Sequence, residues 1–333
     1  MKINRLFKCR ILACIMICIL ATGLLSGCGK SSGGSSSSGN GKILFVITDA
    51  NDSFRGSLAE AIMASAKEHG LDIDYQESGD SVDVQKEIIE QAAQNGYSGC
   101  ICRLADANTA LQMEVAAGDM PIVFVNNDPT SELLKDSKYV YIGSPEEDAG
   151  KYEAEYVWDK LGKPSSVNLV IMKGEKGHSA TEGRTKAAIN YFRDNGVEVN
   201  LVFSDYANWT DENAYKYMGI LSSVGGKYDA VICNNDTMAL GVVKYMQDNG
   251  ISTKDIPVCG VDATADGCAS IAAGGMQFTV LQSAEGQGAK AVEAIQTMSK
   301  GGSIKDIAGA TEDGKYIWVD FEKVDASNVA DYQ

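Results

Sequence analysis

Strand-length apolar segments alternate with helical segments along almost the whole chain from Lys42 onwards, and short polar connections separate them. The predicted strands are 43–48, 72–77, 99–103, 122–125, 139–142, 167–172, 198–203, 229–233, 256–261, 277–281 and 316–321. The predicted helices are a first helix that ends at residue 69, then 82–95, 109–117, 145–161, 180–195, 211–224, 237–249, 265–273 and 285–300. This alternation predicts an α/β fold in which parallel sheets are covered by helices on both faces.

The alternation runs in two series, which predicts two doubly wound parallel-sheet domains of similar design. The helix 285–300 has no strands of its own, and the strand 316–321 comes late. We therefore expect the chain to cross between the domains near Ser144, near Gln282 and near Gly302, forming a multi-strand hinge. The predicted domains are 42–144 plus 283–302 and 145–282 plus 303–333, long enough for two separate cores.

The first 27 residues are typical of a targeting segment. Four basic residues precede the apolar run 11–20, which is too short to span a bilayer. The segment Leu25-Ser26-Gly27-Cys28 resembles the lipobox of bacterial lipoproteins, which implies cleavage before Cys28 and a lipid on that cysteine. Residues 29–41 are almost wholly Gly and Ser, a tether that spans about 20 Å as a random coil. We expect an extracytoplasmic body, tethered by 28–41 and anchored to the membrane through Cys28.

The charge balance excludes some partners. The chain has 29 basic and 45 acidic residues, and removal of residues 1–27 takes away four basic groups, so the mature net charge is −20. Such a surface repels nucleic acid and anionic lipid.

The cysteines indicate neither a zinc site nor a disulfide framework, because the mature chain has no CxxC and no Cys/His cluster. Cys100, Cys102, Cys233 and Cys259 lie inside apolar strand-like runs, where thiols behave as small buried hydrophobic groups. The chain also has no Walker loop and no GxGxxG, so we expect no nucleotide chemistry and no cofactor.

The segment 230–241 has the pattern of a strand, a tight turn and a helix start. We expect Asp236 to cap the helix through its carboxylate. Asn235 would then sit at the carboxyl end of a parallel strand, where open α/β sheets bind ligands. The alternative is that both residues only shape the turn.

Several motifs together resemble the periplasmic sugar-binding proteins of type I fold, most closely the galactose/glucose branch and next the ribose branch. The resemblance covers about residues 42–300. The motifs that carry it are Asp52-Ser-Phe54, Val-Phe-Val-Asn126-Asn-Asp-Pro129, Lys173-Gly-Glu-Lys-Gly-His178 through Arg184, Asn208-Trp209, 233–241, Gly260-Val-Asp262 and Thr279-Val-Leu-Gln282.

The resemblance implies a ligand held between the two domains. Phe54 and Trp209 match the aromatic residues that sandwich a sugar ring, one from each domain. The alternative for Phe54 is packing into the core as a first-turn helix residue.

The resemblance also assigns polar contacts from both domains. Asp52 matches the carboxylate that accepts from two sugar hydroxyls, Asn126 the amide beside it, His178 a donor, and Gln282 an amide at a crossover. Asp52 could instead be only a helix cap, and Asn126 only a turn former.

Arg184 and Asp262 resemble the second-domain pair in which each side chain makes two parallel hydrogen bonds to neighbouring hydroxyls. A purely structural salt bridge is the alternative.

Two departures from the family pattern put the exact sugar in doubt. Thr48 stands where the closest relatives carry Tyr, and Ala180 stands where they carry an Asp near the anomeric hydroxyl. This chain also has no counterpart of the calcium loop of the galactose/glucose branch, because the corresponding residues 162–166 contain no carboxylates. We expect no metal there.

The leading interpretation is a monomeric, lipid-anchored binding protein that presents a monosaccharide to an ABC permease after domain closure. One alternative is a sensor that delivers the sugar to a chemoreceptor or receptor kinase. Another is a glycosidase that uses Asp52 and Asp262, which we disfavour because Arg184 is expected to keep Asp262 ionised. We therefore predict no enzymatic activity.

Overall fold

Two six-stranded sheets run through residues 41–333, the part of the chain that the computed structural model describes. The strands are β1 Ile43–Ile47, β2 Ile73–Glu77, β3 Gly99–Cys102, β4 Ile122–Val125, β5 Tyr139–Gly143, β6 Ser166–Lys173, β7 Glu198–Tyr206, β8 Ala230–Cys233, β9 Val258–Cys259, β10 Phe278–Leu281, β11 Tyr316–Trp318 and β12 Glu322–Asp325. The helices are α1 Ser53–Glu68, α2 Val82–Gln94, α3 Ala110–Ala117, α4 Glu146–Lys160, α5 Ser179–Asp194, α6 Asp211–Ser223, α7 Asp236–Asp248, α8 Ala265–Ala272 and α9 Ala284–Met298.

The strand orders of the two sheets are related. The first sheet has the order β11-β5-β4-β3-β1-β2 and is parallel throughout. The second has the order β12-β10-β9-β8-β6-β7, and only β12 is antiparallel to its neighbour. The predicted fold class, two doubly wound parallel-sheet domains, is confirmed. We call the first sheet with α1, α2, α3 and α9 the first lobe, and the second sheet with α4 to α8 the second lobe.

Each sheet separates two hydrophobic cores, because alternate side chains of a strand point to opposite faces. In β1, Ile43, Phe45 and Ile47 enter one core while Leu44 and Val46 enter the other. All five residues of this strand are buried. Burial on both faces explains why the central strands are apolar runs rather than alternating ones.

The chain crosses between the lobes three times, and the third crossing differs from the prediction. The run 316–321 was predicted to be one strand of the second domain, after a crossing near Gly302. Instead β11 pairs with β5 of the first lobe, and β12 pairs with β10 of the second. Ile304 and Ile307 also pack in the first-lobe core beside Ile317. The assignment of 303–318 to the second domain is therefore wrong, and the chain crosses at residues 319–321.

The described cysteines are all free and buried: Cys100, Cys102, Cys233, Cys259 and Cys268. For the first four this confirms the prediction from their apolar strand-like runs. Between residues 41 and 333 no helix is long and apolar enough to cross a bilayer. The predicted signal peptide 1–27, the lipid-bearing Cys28 and all of the tether except Gly41 lie outside the described residues.

Candidate functional site

A cleft with an empty volume of about 320 Å³ lies where the carboxyl ends of the strands of both sheets meet. Its walls contain all nine side chains that the sequence predicts to bind ligand: Asp52, Phe54, Asn126, His178, Arg184, Trp209, Asn235, Asp262 and Gln282. Arg55, Arg103 and Ala180 complete the lining.

Two aromatic side chains enter the cleft from opposite lobes. Phe54 comes from the first turn of α1 and both lines the cleft and packs in the first-lobe core. Trp209 follows β7, and its ring meets the ring of His178 edge to face, with centroids 5.2 Å apart. Trp209 reaches this position because Gly174 has no side chain: a Cβ there would lie 2.0 Å from the indole ring.

The first-lobe polar residues are fixed by local hydrogen bonds. Asp52 is the N-cap of α1, and its Oδ1 accepts from the backbone N–H of Arg55 at 3.0 Å. Asn126 has a left-handed backbone, with φ of 63°, and its Oδ1 accepts from Arg103 Nε at 3.1 Å. The amide of Asn126 is therefore oriented, which leaves its NH₂ as the group available to a ligand.

His178 is the N-cap of α5 and lies almost completely buried in the cleft wall. Its Nδ1 accepts from the backbone N–H of Ala180 at 3.2 Å. Burial, with Arg103 and Arg184 nearby, lowers the pKa of His178 well below its usual value. The ring is therefore neutral, and the proton on Nε2 is the one it can donate.

Arg184 is the most extensively bonded side chain of the site. Its Nε donates to Glu146 Oε2 at 2.7 Å, its Nη1 to the backbone oxygen of Asn234 at 2.6 Å, and its Nη2 to Gln282 Oε1 at 2.9 Å. Asp262 Oδ1 is 4.0 Å from Nη1. The predicted Arg184–Asp262 pair is thus looser than expected, because Glu146 is the closer carboxylate.

A close helix crossing delivers Glu146 to Arg184. Gly150 of α4 lies against the backbone of α5, and a Cβ at Gly150 would be 2.0 Å from the carbonyl oxygen of Arg184. Burial lowers the pKa of Arg184, but Glu146 and Asp262 more than offset this, so the pKa is raised. Arg184 is therefore a fixed cation, and the pair avoids an uncompensated buried charge.

Asp262 has a positive backbone φ angle and a raised pKa. Its φ is 118°, and its N–H donates to the carbonyl oxygen of Val280 at 2.8 Å. Burial raises the pKa of Asp262 well above its usual value, although Arg184 acts in the opposite direction. The expectation was that Arg184 sets the titration of Asp262, but at 4.0 Å its charge lowers the pKa of Asp262 by less than burial raises it.

The N-cap of α7 lies one residue earlier than predicted. Asn235, not Asp236, is the N-cap of α7, and its Oδ1 accepts from the backbone N–H of Met238 at 2.9 Å. Asp236 is completely buried and accepts from Thr279 Oγ1 at 2.6 Å and from the backbone N–H of Thr264 at 2.8 Å. Asn235 still lines the cleft, where its Nδ2 makes only a 3.5 Å contact to the carbonyl oxygen of Trp209.

Three amide side chains thus share one orientation. The oxygens of Asn126, Asn235 and Gln282 are committed to protein donors, and their NH₂ groups remain for the cleft. Gln282 Nε2 is buried and has no hydrogen-bond partner among the described residues. An unpaired buried donor is costly, so the cleft is suited to a ligand that supplies an oxygen acceptor at this point.

Sequence reasoning missed Arg103 as a cleft residue. It follows β3 at a strand end and is 1% exposed, and its Nη1 donates to Thr48 Oγ1 at 3.1 Å. The signal was available, since a charged residue ended an otherwise apolar strand. Thr48, a departure from the family pattern, is the acceptor that holds this guanidinium.

The described residues contain no group of three or more His, Cys, Asp or Glu side chains arranged to hold a metal ion.

Two α/β lobes with a polar and aromatic cleft between them define a small-molecule binding protein of two-lobed design. A family model for the periplasmic binding protein domain matches residues 43–303, and the chain belongs to this family. The family prediction, including its type I fold, is confirmed.

Relatives and solved structures agree with this assignment. A provisionally assigned rhizopine-binding protein of Rhizobium meliloti is 29% identical, covering 79% of this chain and 83% of its own length. The D-galactose/methyl-galactoside binding periplasmic protein of Haemophilus influenzae is 24% identical, covering 87% and 91%. An ABC transporter solute-binding protein from Bacillus halodurans, solved with myo-inositol, has a TM-score of 0.77 at 24% identity and covers 90% and 99%. These proteins are binding proteins, and so is this chain, which is not an enzyme.

Proposed function

We propose that this protein captures a monosaccharide between its lobes and presents it to an ABC permease. The observation that carries this proposal is that nine side chains from distant parts of the sequence line one cleft. They comprise two aromatic rings, carboxylates and oriented amide donors, the groups that a polyhydroxylated ring requires. The family and the sugar-binding relative from Haemophilus influenzae support the same conclusion.

The chemistry of the cleft matches that of hydroxyl groups, each of which can donate and accept. Asp52 and Asp262 offer acceptors on opposite walls, and the NH₂ groups of Asn126, Asn235 and Gln282 offer donors. Phe54 and Trp209 cover the C–H faces of a ring, so closure removes apolar surface from water. We favour a galactose- or glucose-like pyranose as the ligand.

Thr48 and Ala180 are the positions at which the cleft could favour another ring of similar size over galactose or glucose. Ala180 offers no acceptor near the expected anomeric end, and loss of such an acceptor weakens binding by about 1–3 kcal/mol when nothing replaces it. The Bacillus halodurans structure holds myo-inositol, a ring without an anomeric carbon. Myo-inositol therefore belongs in the first set of test ligands.

A thermal-shift panel tests the proposal directly. Galactose, glucose, ribose, arabinose, xylose and myo-inositol are added at millimolar concentration, and a ligand at a hundred times its Kd stabilises the folded state by about 2.7 kcal/mol. Asp262→Ala should abolish the shift in a protein that still folds, and Asp306→Ala, at an exposed first-lobe position, should retain it. Wild-type affinity in folded Asp262→Ala would refute the assignment of the binding site. No change in the unfolding temperature with any of these ligands would refute the proposal that the ligand is a sugar.

Transport and sensing use the same ligand chemistry, so only the identity of the partner protein distinguishes these two functions. We favour transport by a monomer that carries the sugar to the permease. Co-purification of the ligand-bound protein with permease subunits is expected, whereas recovery of a chemoreceptor or receptor kinase would favour the sensor.

We also propose that Cys28 carries a lipid that anchors the body at the extracytoplasmic face of the membrane, through the tether 28–41. The support is the sequence Leu25-Ser26-Gly27-Cys28 after a signal-like segment. Cys28→Ser should move the protein from the membrane fraction to the soluble fraction. An unchanged distribution would contradict lipidation.

A further inference from the structure

Three charged side chains meet across the cleft and belong to neither the predicted ligand set nor the core. Arg55 and Arg103 come from the first lobe. Glu175 comes from the loop between β6 and α5 of the second lobe. The two oxygens of Glu175 lie 3.7 Å from Arg55 Nη1 and 3.7 Å from Arg103 Nη2, respectively. One carboxylate therefore joins two guanidinium groups of the opposite lobe.

Within its own lobe, Arg103 has only neutral hydrogen-bond partners, the side chains of Thr48 and Asn126. A buried guanidinium without a countercharge is costly. Burial lowers the pKa of Arg103 and the neighbouring Arg55 lowers it further, whereas Glu175, followed by Asp52 and Asp49 of the first lobe, raises it. Glu175 is the only carboxylate within 4.0 Å of Arg103 among the described residues.

The charge and the hydrogen-bond donors of the Arg55 guanidinium are only partly satisfied within the first lobe. Its Nη2 donates to Asp49 Oδ1 at 3.2 Å, but its Nε is buried without a hydrogen-bond partner in the described part of the chain. The side chain of Glu175 is 38% exposed, so it can reach solvent whenever it leaves the two arginines.

Neutral contacts cross the cleft beside this cluster. The backbone N–H of Asp128 donates to Ser179 Oγ at 2.9 Å, and the backbone N–H of Ser179 donates to Asn127 Oδ1 at 3.3 Å. Direct lobe-to-lobe contact is therefore made by the short segment that leads from Glu175 into α5.

Because Glu175 and the two arginines belong to different lobes, the contacts exist only when the lobes are closed. When the lobes separate, water solvates Arg55 and Arg103, and Glu175 turns to solvent. We propose that Glu175 is a latch that holds the closed lobes over the ligand by neutralising Arg55 and Arg103 from across the cleft. This inference rests on the proposed function, because the latch acts on a cleft that closes over a sugar.

A latch changes ligand release more than ligand capture, since the contacts form after encounter. With the sugar found in the thermal-shift panel, stopped-flow fluorescence should show that Glu175→Gln raises koff roughly three- to tenfold and changes kon less than twofold. The matched control is Glu182→Gln, an exposed glutamate of α5 in the same lobe, which should leave both rates unchanged.

Salt and a second variant separate a latch from a general structural effect. Salt screens the cross-cleft pairs, so koff of the wild type should rise with ionic strength, while koff of Glu175→Gln should not. Arg55→Gln should also raise koff, and the double variant should release sugar more slowly than the product of the single effects predicts. A koff for Glu175→Gln less than threefold above wild type, equal salt dependence, or additive effects would each overturn the latch.

The distance between lobes can be measured without any sugar. In a mature chain that carries Cys28→Ser, the labelling substitutions are Lys86→Cys on α2 and Glu212→Cys on α6, both at exposed positions. The five described native thiols are buried, so spin labels attach selectively. Glu175→Gln should shift the ligand-free distances towards the open state, and identical distributions would overturn the latch. If no sugar binds, the proposed function fails, while this measurement still decides on the latch.

Discussion

At the scale of single residues, the cleft depends on backbone conformations that most side chains avoid. Asn126, Trp209 and Asp262 have φ values of 63°, 65° and 118°, and all three line the cleft. Such conformations cost of order 1–3 kcal/mol each and persist only where the surrounding structure imposes them. The strain therefore indicates side chains held in place before a ligand arrives.

Asn235 carries two roles that substitution can separate. Its Oδ1 caps α7, and its Nδ2 faces the cleft. Asn235→Ser retains a capping oxygen, so the free energy of unfolding should stay within about 0.5 kcal/mol of wild type, whereas Asn235→Ala should lose about 1 kcal/mol. Both variants should bind sugar about tenfold more weakly, because each lacks the amide donor. Denaturant unfolding and calorimetric titration measure the two effects.

Two outcomes would contradict this assignment. Wild-type affinity in Asn235→Ser would mean that the amide only caps the helix. Equal loss of stability in Ser and Ala variants would mean that the cap does not contribute.

Sequence reasoning at this scale found which residues meet but not what each one bonds. Asn and Asp both cap helices, so the pattern at residues 235–236 could not distinguish which residue is the cap. The actual boundary depends on Asp236 bonding Thr264 and Thr279, which are distant in sequence. Arg103 was missed because an arginine after a strand resembles a solvated end, whereas its burial depends on residues distant in sequence, among them Thr48 and Asn126.

At the scale of helices and strands, the α4–α5 crossing controls the position of Arg184. Gly150→Ala would place a methyl group 2.0 Å from the carbonyl oxygen of Arg184, which forces the helices apart. Overpacking of this kind should lower the free energy of unfolding by about 1–3 kcal/mol. Sugar affinity should fall with it, because the 2.7 Å bond from Arg184 to Glu146 lengthens.

A matched control is available on α6. A Cβ at Gly219 would meet only Tyr245, at 3.6 Å, an ordinary contact. Gly219→Ala should therefore raise the free energy of unfolding by about 0.5–1 kcal/mol, as expected for alanine in a helix interior. Equal effects of the two substitutions in urea unfolding would show that the crossing is not tightly packed.

The elements themselves were largely predictable, because apolar periodicity and caps are local properties. The strands and helices of the parallel βα units lie close to their predicted bounds, for example α6 at Asp211–Ser223 against 211–224. The run 316–321 was different. Its aromatic and apolar residues indicate one strand, and only the pairing of β11 with β5 and of β12 with β10 shows that it divides between sheets. Such long-range pairing leaves no local pattern.

At the scale of the whole molecule, closure brings acidic groups of both lobes together near the hinge. Asp128 follows β4 in the first lobe, while Glu146 and Glu147 begin α4 in the second. Burial, and then these two carboxylates, raise the pKa of Asp128 to about 8. Tyr141 and Tyr316 lie on the first-lobe side of the same group. Closing the lobes therefore favours the protonated form of Asp128.

This coupling predicts a pH dependence of sugar affinity with a definite sign. In the open state Asp128 is expected to titrate near its ordinary value of 3.8, and in the closed state near 8. Between these values closure takes up a proton at Asp128, so the contribution of Asp128 to affinity should be largest at acid pH, fall by up to about tenfold per pH unit, and level off above pH 8. Calorimetric titration from pH 5 to 9 measures the slope. Asp128→Asn should lose this contribution. Because Asp262, His178 and Glu153, whose pKa values burial also shifts, are present in both proteins, the difference between the two profiles isolates Asp128. Parallel profiles for wild type and Asp128→Asn would show that closure does not change the protonation of this carboxyl.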